Sequence, residues 1–198
     1  MTSSPTVKVV LLGDSGVGKT SIVNRYTTGI VQLSVKPTVG AAFVTKEISV
    51  DGKDYELLIW DTAGQEVYRG LAPMYYRSAA IAIIVYDCIR PQTYQSVSYW
   101  IKELRMNVDK NTVIVVCANK IDRDEPKNPE TEVAQKFATD NGALFIETSA
   151  ISGIGIDRLF QMAVSEYSRS APEPVEPKSP SNSVNLEQNK DNKGGCSC

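Results

Sequence analysis

Gly13-Asp14-Ser15-Gly16-Val17-Gly18-Lys19-Thr20 constrains this chain more than any other stretch. It fits the template G-x-x-x-x-G-K-[ST], with Gly13, Gly18, Lys19 and Thr20 at the fixed positions. The apolar run over residues 7–12 predicts a buried strand before it, and residues 20–28 can continue as a helix after it. The glycines let the backbone bend so that several N–H groups face one anion. The new helix adds its free N–H groups and the positive end of its dipole. Asp14, Ser15, Gly16, Val17, Gly18, Lys19, Thr20 and Ser21 are therefore candidate nucleotide-binding residues. Lys19 supplies a cation for the β- and γ-phosphates, and Thr20 a hard oxygen for Mg²⁺. The loop by itself leaves the base and the reaction open.

The rest of the chain alternates strands with helices. Strand-like runs cover residues 7–12, 41–50, 55–60, 79–86, 112–118 and 143–147. Asp51-Gly52 marks a tight hairpin, so the second and third runs should pair antiparallel. The unbroken apolar runs 81–85 and 113–116 suit parallel strands covered on both faces. Tyr94, Val97, Ile101 and Leu104 recur at helical spacing behind Pro91, and a shorter helix over 130–140 stops at Asn141-Gly142. Ile156, Leu159, Phe160, Ala163, Val164 and Tyr167 form the stripe of a last helix. The expected fold is α/β: a six-stranded, mostly parallel sheet with one antiparallel edge strand and about five helices on both faces. At 198 residues one domain is expected, over 7–170, between a disordered N-terminus (1–6) and a disordered tail (171–198).

Composition narrows the chemistry. A net charge of −2 gives no reason to expect nucleic acid as a partner. Histidine is absent, which excludes a histidine base or metal ligand. The four cysteines make no disulfide pattern, and a reducing cytosol suits them. No apolar run has transmembrane length, and residues 1–12 lack the charged-then-apolar pattern, so no signal peptide is expected there.

Two further stretches carry chemistry. In Trp60-Asp61-Thr62-Ala63-Gly64-Gln65-Glu66, an apolar strand delivers Asp61 to a sheet edge, where its carboxylate can hold Mg²⁺ through water. Gly64 offers an N–H that can approach a γ-phosphate closely. The Gln65 amide donates and accepts without charge, which suits it to orient an attacking water. Lys19, Gly64 and Gln65 are thus the catalytic candidates. In Asn119-Lys120-Ile121-Asp122, the Asp122 carboxylate can accept two N–H bonds from the N1 and N2 edge of guanine. Adenine offers no such pair and would leave polar groups unpaired. Asn119 can brace the loop, and the Lys120 stem can cover the base.

These stretches, with Thr38 and Thr148-Ser149-Ala150 in the same order and spacing, resemble the small GTPases of the Ras superfamily over residues 7–168. The resemblance implies GTP/GDP and Mg²⁺ as cofactors. It implies that Thr38 completes the Mg²⁺ shell and meets the γ-phosphate, and that backbone amides at Ser149 and Ala150, next to Ile151, face the guanine. Within the superfamily the chain looks like a Rab. Residues 38–43 and 71–77 and the terminal Cys196-Ser197-Cys198 are similar to the early-endosomal Rab subgroup. That resemblance implies a monomeric, vesicle-trafficking switch on the cytoplasmic face of membranes, with a cytosolic pool in the GDP form. Exchange factors, activating proteins, escort proteins and effectors would engage loops around residues 30–43 and 61–77. It also implies geranylgeranylation of Cys196 and Cys198. Three lysines against four carboxylates give the tail a net charge of −1, so no basic patch assists the membrane, and two lipids anchor far better than one.

Three departures stand out. Val31 occupies a position that is aromatic in most relatives, so it should cover less of the base and speed GDP release. Ile151 stands where lysine is usual, and Val67 and Gly70 where arginine and serine are common. Two rival readings are a P-loop kinase or ATPase, opposed by Asp122, and a GTP-dependent binding module with little hydrolysis, opposed by Gln65.

Overall fold

The computed structural model describes residues 4–31, 36–64 and 70–170. Its elements run β1 (Thr6–Leu12), α1 (Lys19–Thr28), β2 (Ala41–Val50), β3 (Lys53–Thr62), α2 (Ala72–Tyr76), β4 (Ile81–Asp87), α3 (Pro91–Asn107), β5 (Val113–Asn119), α4 (Thr131–Asp140), β6 (Leu144–Thr148) and α5 (Ile156–Ser170). The six strands form one sheet in the order β2-β3-β1-β4-β5-β6. Only β2 pairs antiparallel; every other neighbouring pair is parallel.

The β2–β3 hairpin follows from two residues. Asp51 and Gly52 both take positive φ, 51° and 75°, between the paired Val50 and Lys53. Two positive φ values in a two-residue loop give the turn whose twist matches antiparallel strands. The strand alternation then sorts the core. Val7, Val9 and Leu11 face α1 and α5, packing on Ile22, Leu159 and Phe160. Val10 and Leu12 face the other way, with Tyr76 of α2, Val97 and Leu104 of α3, and Ala134 of α4. Both faces of the sheet are covered, as the apolar runs of β4 and β5 require.

The strands differ from expectation at their ends. β1 begins at Thr6, and the Pro5 carbonyl accepts the Glu56 N–H at 3.0 Å, so order starts inside the stretch expected to be disordered. β4, β5 and β6 each run one residue further than the expected strand-like runs, to Asp87, Asn119 and Thr148. Those three polar residues lie side by side in the ladder, Asp87 opposite Asn119 and Asn119 opposite Thr148. The sheet therefore delivers a row of polar side chains at the carboxyl ends of its central strands, where ligands bind in folds of this kind. Among the described residues no helix is long and apolar enough to cross a membrane.

Candidate functional site

The loop between β1 and α1 turns on glycines that have no room for a side chain. Gly13 has φ 134°, and a Cβ there would lie 2.1 Å from the Val85 carbonyl oxygen. Gly18 has φ 101°, caps α1, and would strike Asn119 Nδ2 at 2.4 Å. Lys19 is 5% exposed, and its ammonium donates to the carbonyls of Gly13 (2.8 Å) and Asp14 (2.9 Å). Burial lowers its pKa from the lysine range to about 8, against the opposing charges of Asp61 and Asp14. A phosphate at this loop would give that half-desolvated cation its partner.

Three oxygens meet beside it. The Thr20 hydroxyl donates to Asp61 Oδ2 at 2.6 Å and lies 2.9 Å from the Thr38 hydroxyl, which is itself 3.5 Å from the same Oδ2. Asp61 is 2% exposed, and its Oδ1 is buried without a hydrogen-bond partner. Burial raises its pKa, while Thr20, Lys19 and Thr38 pull the other way. A buried carboxylate oxygen with no donor, beside two hydroxyls, fits a hard divalent cation that prefers oxygen ligands and keeps its waters. Thr20, Thr38 and Asp61 are therefore the residues that would hold Mg²⁺.

Gly64 closes the phosphate end. A Cβ built on it would lie 2.5 Å from the carbonyl carbon and oxygen of Asp14 and from the Ser15 nitrogen. Its backbone is thus pressed directly on the loop. Gln65 lies outside the described residues, as do Val67, Cys196 and Cys198.

At the base end, Asn119 ties three segments together. Its Nδ2 donates to the Val17 carbonyl at 2.9 Å, and its Oδ1 accepts from the Thr148 hydroxyl at 3.2 Å and the Ala150 N–H at 3.3 Å. Lys120 takes φ 74° and extends to the Gly16 carbonyl at 2.7 Å. The Ser149 hydroxyl donates to Asp122 Oδ1 at 2.5 Å and accepts the Ser152 N–H at 3.0 Å. It holds the carboxylate that faces the cleft. The two amides expected at guanine are engaged within the protein: Ser149 N–H donates to the Ile154 carbonyl, and Ala150 N–H to Asn119. Ala150 would exchange that partner for the base, whereas the Ser149 side chain holds Asp122.

One cleft of about 300 Å³ joins the two ends. Ser15, Gly16, Gly18, Lys19, Thr20, Ser21, Thr38, Gly64, Asn119, Lys120, Asp122, Ala150 and Ile151 all line it. Val17, Asp61 and Ser149 are buried behind the wall, and the Asp14 carboxylate accepts the Ser96 hydroxyl of α3 at 2.8 Å. Val31 lines the base end together with Ile151, which is 54% exposed. Lys36, Pro37, Thr62 and Arg123 also line the cleft and were not anticipated. Another residue missed from sequence is Asp87, which accepts the ammonium of Lys120 at 2.8 Å and the Arg90 Nε at 2.8 Å. Burial alone would raise its pKa, but those cations and the Ile89 N–H hold it below the ordinary carboxylate range. A carboxylate ending an otherwise apolar strand run was the signal available.

Comparison with known proteins agrees with this geometry. The family model described as Ras family matches residues 8–169. The Ras-related protein YPTC6 of Chlamydomonas reinhardtii is 45% identical over 159 residues, which are 80% of this chain and 74% of that protein. The Ras-related protein RABA2a of Arabidopsis thaliana is 44% identical over 162 residues, 82% of this chain and 75% of that one.

Proposed function

Since the chain belongs to the Ras family, as a small GTPase of the Rab type that works with Mg²⁺, we propose that it is a vesicle-trafficking switch of the endocytic, early-endosomal route. One observation supports the switch above the others. Thr38 and Gly64 come from two different loops, and both contact the phosphate-binding segment, Thr38 at Thr20 and Gly64 at Asp14 and Ser15. A γ-phosphate placed between them would hold both loops, and its loss would release both.

In the hydrolysis, water attacks the γ-phosphorus in line and the bond to the β–γ bridging oxygen breaks. The products are GDP and dihydrogen phosphate, which keeps both of the water's protons. The loop amides and Lys19 stabilise charge on the phosphates, and Gln65, next in the chain after Gly64, orients the water. Thr20, Thr38 and, through water, Asp61 would hold Mg²⁺, which would supply positive charge at the same phosphates. Asp122, oriented by Ser149, selects guanine. An activating protein is expected to supply an arginine to the transition state and so accelerate a slow intrinsic reaction.

The partner reading is supported by an aromatic path across both loops' neighbours. Phe43, 52% exposed, packs on Trp60 at 5.2 Å between ring centroids, and Trp60 on Tyr75 at 5.8 Å. Exchange factors, activating proteins, escort proteins and effectors would read this surface. Cys196 and Cys198 would carry the lipids that hold the chain on the cytoplasmic membrane face.

The test is localisation of the full chain with an N-terminal fluorescent tag, beside a Cys196→Ser, Cys198→Ser form, during a pulse of endocytic tracer. Tagged protein on early tracer-positive vesicles, with the double variant cytosolic, is the expected result. Wild type on Golgi, secretory or late endocytic membranes would reassign the compartment and keep the GTPase. A double variant still on membranes would remove the lipid reading.

A further inference from the structure

The outer side of the phosphate-binding loop is held by a cluster that phosphate chemistry alone does not require. Asp87, at the end of β4, is 1% exposed. Its Oδ2 accepts both the Lys120 ammonium and the Arg90 Nε, each at 2.8 Å. Both cations continue to the loop. Lys120 donates to the Gly16 carbonyl at 2.7 Å, and Arg90 Nη2 to the Ser15 carbonyl at 3.4 Å. The guanidinium also lies close to Gly16: a Cβ there would be 3.4 Å from Nη2 and 3.9 Å from Nη1.

A trans peptide unit is planar, and its N–H points opposite to its C=O. Holding the Ser15 carbonyl on the Arg90 side therefore turns the Gly16 N–H the other way. Holding the Gly16 carbonyl on Lys120 does the same for the Val17 N–H. We propose that Arg90 is a positioning residue for nucleotide binding: its forked contact with Asp87 and the Ser15 carbonyl fixes the direction of the amides that meet the phosphates. The inference rests on the reading of this loop as the phosphate site.

Arginine suits the task because Nε and Nη2 reach two acceptors at a fixed angle, which an ammonium cannot do. The role is separable from folding. The Arg90 side chain is 45% exposed. The turn around it is held through backbone, since the Thr93 hydroxyl donates to the Arg90 carbonyl at 2.8 Å and accepts the Asp87 N–H at 3.0 Å. Without the guanidinium, Asp87 keeps Lys120 and the Ile89 N–H.

The experiment loads the full chain with fluorescent GDP and follows its release into excess GDP for wild type, Arg90→Ala and Arg90→Lys. Release should quicken about tenfold in Arg90→Ala, the factor that one charge-assisted hydrogen bond commands. Arg90→Lys, which keeps a cation for Asp87 alone, should fall between. Thermal melts then separate positioning from support. The gain in melting temperature on adding GDP should shrink in Arg90→Ala, while the melt without nucleotide stays at the wild-type value. Equal release rates in wild type and Arg90→Ala would overturn the proposal, and so would an equal drop in both melts. A wild type that retains no GDP would overturn the phosphate-site reading underneath it.

Discussion

Gly64 has no room for a side chain, and what it would strike is backbone. The nearest atoms are the Asp14 carbonyl and the Ser15 nitrogen, which cannot rotate aside. In Gly64→Ala the loop after β3 must back away from the phosphate end by close to an ångström, because the added Cβ would lie at 2.5 Å and ordinary contact begins at 3.4 Å. Displacing a group that positions the reacting atoms by that distance costs about a hundredfold in rate. We expect single-turnover GTP hydrolysis to fall by about that factor while GDP affinity changes little, which rapid-quench and titration experiments would check. Lys19 makes a pH prediction. Burial holds it at about 8 in the protein alone, and a bound phosphate favours the charged form. The protein therefore takes up a proton on binding nucleotide above that pH. Affinity should be level near pH 7 and fall as pH rises through 8, approaching about tenfold per unit. Titrations from pH 7 to 9.5 that stay flat would show that Lys19 keeps its proton without the phosphate.

At the scale of elements, the β2–β3 hairpin depends on two left-handed residues. Gly52→Ala puts a Cβ on a residue at φ 75°, where no neighbouring atom obstructs it, so the cost is conformational alone. It should be about 1 kcal/mol, read from denaturant unfolding with an unchanged slope. That turn was legible because two adjacent residues encode it. The strand ends were not. Asp87 and Asn119 break apolar runs, Thr148 follows a run already broken at Glu147, and hydrophobic periodicity stops before all three. The ladder does not, because backbone hydrogen bonds are indifferent to the side chain's polarity. α2, only five residues long, offers too few turns for a period to register. The nucleotide motifs could be read because each is local. Arg90 could not: its loop partner Ser15 is 75 positions away, and only the folded sheet brings them together.

The described residues form a sheet with a core on each face. Both cores are complete by α5, whose last buried residue is Val164, with Tyr167 packed alongside. Removing residues 171–198 should leave the melting temperature within about 2 °C and GDP affinity unchanged, while abolishing sedimentation with membranes. A larger loss of stability would mean that the tail packs on the domain. The same architecture gives Asn119 a consequence of its own. One amide links the carbonyl of Val17 at the phosphates to the hydroxyl of Thr148, the strand-end residue from which the chain runs on to Ser149 and Ala150 at the base end. The grip on the phosphates and the grip on the base are thus one mechanical unit. A regulator that pries at either end is therefore expected to loosen both, with the nucleotide leaving in a single concerted step rather than peeling away from base to phosphate.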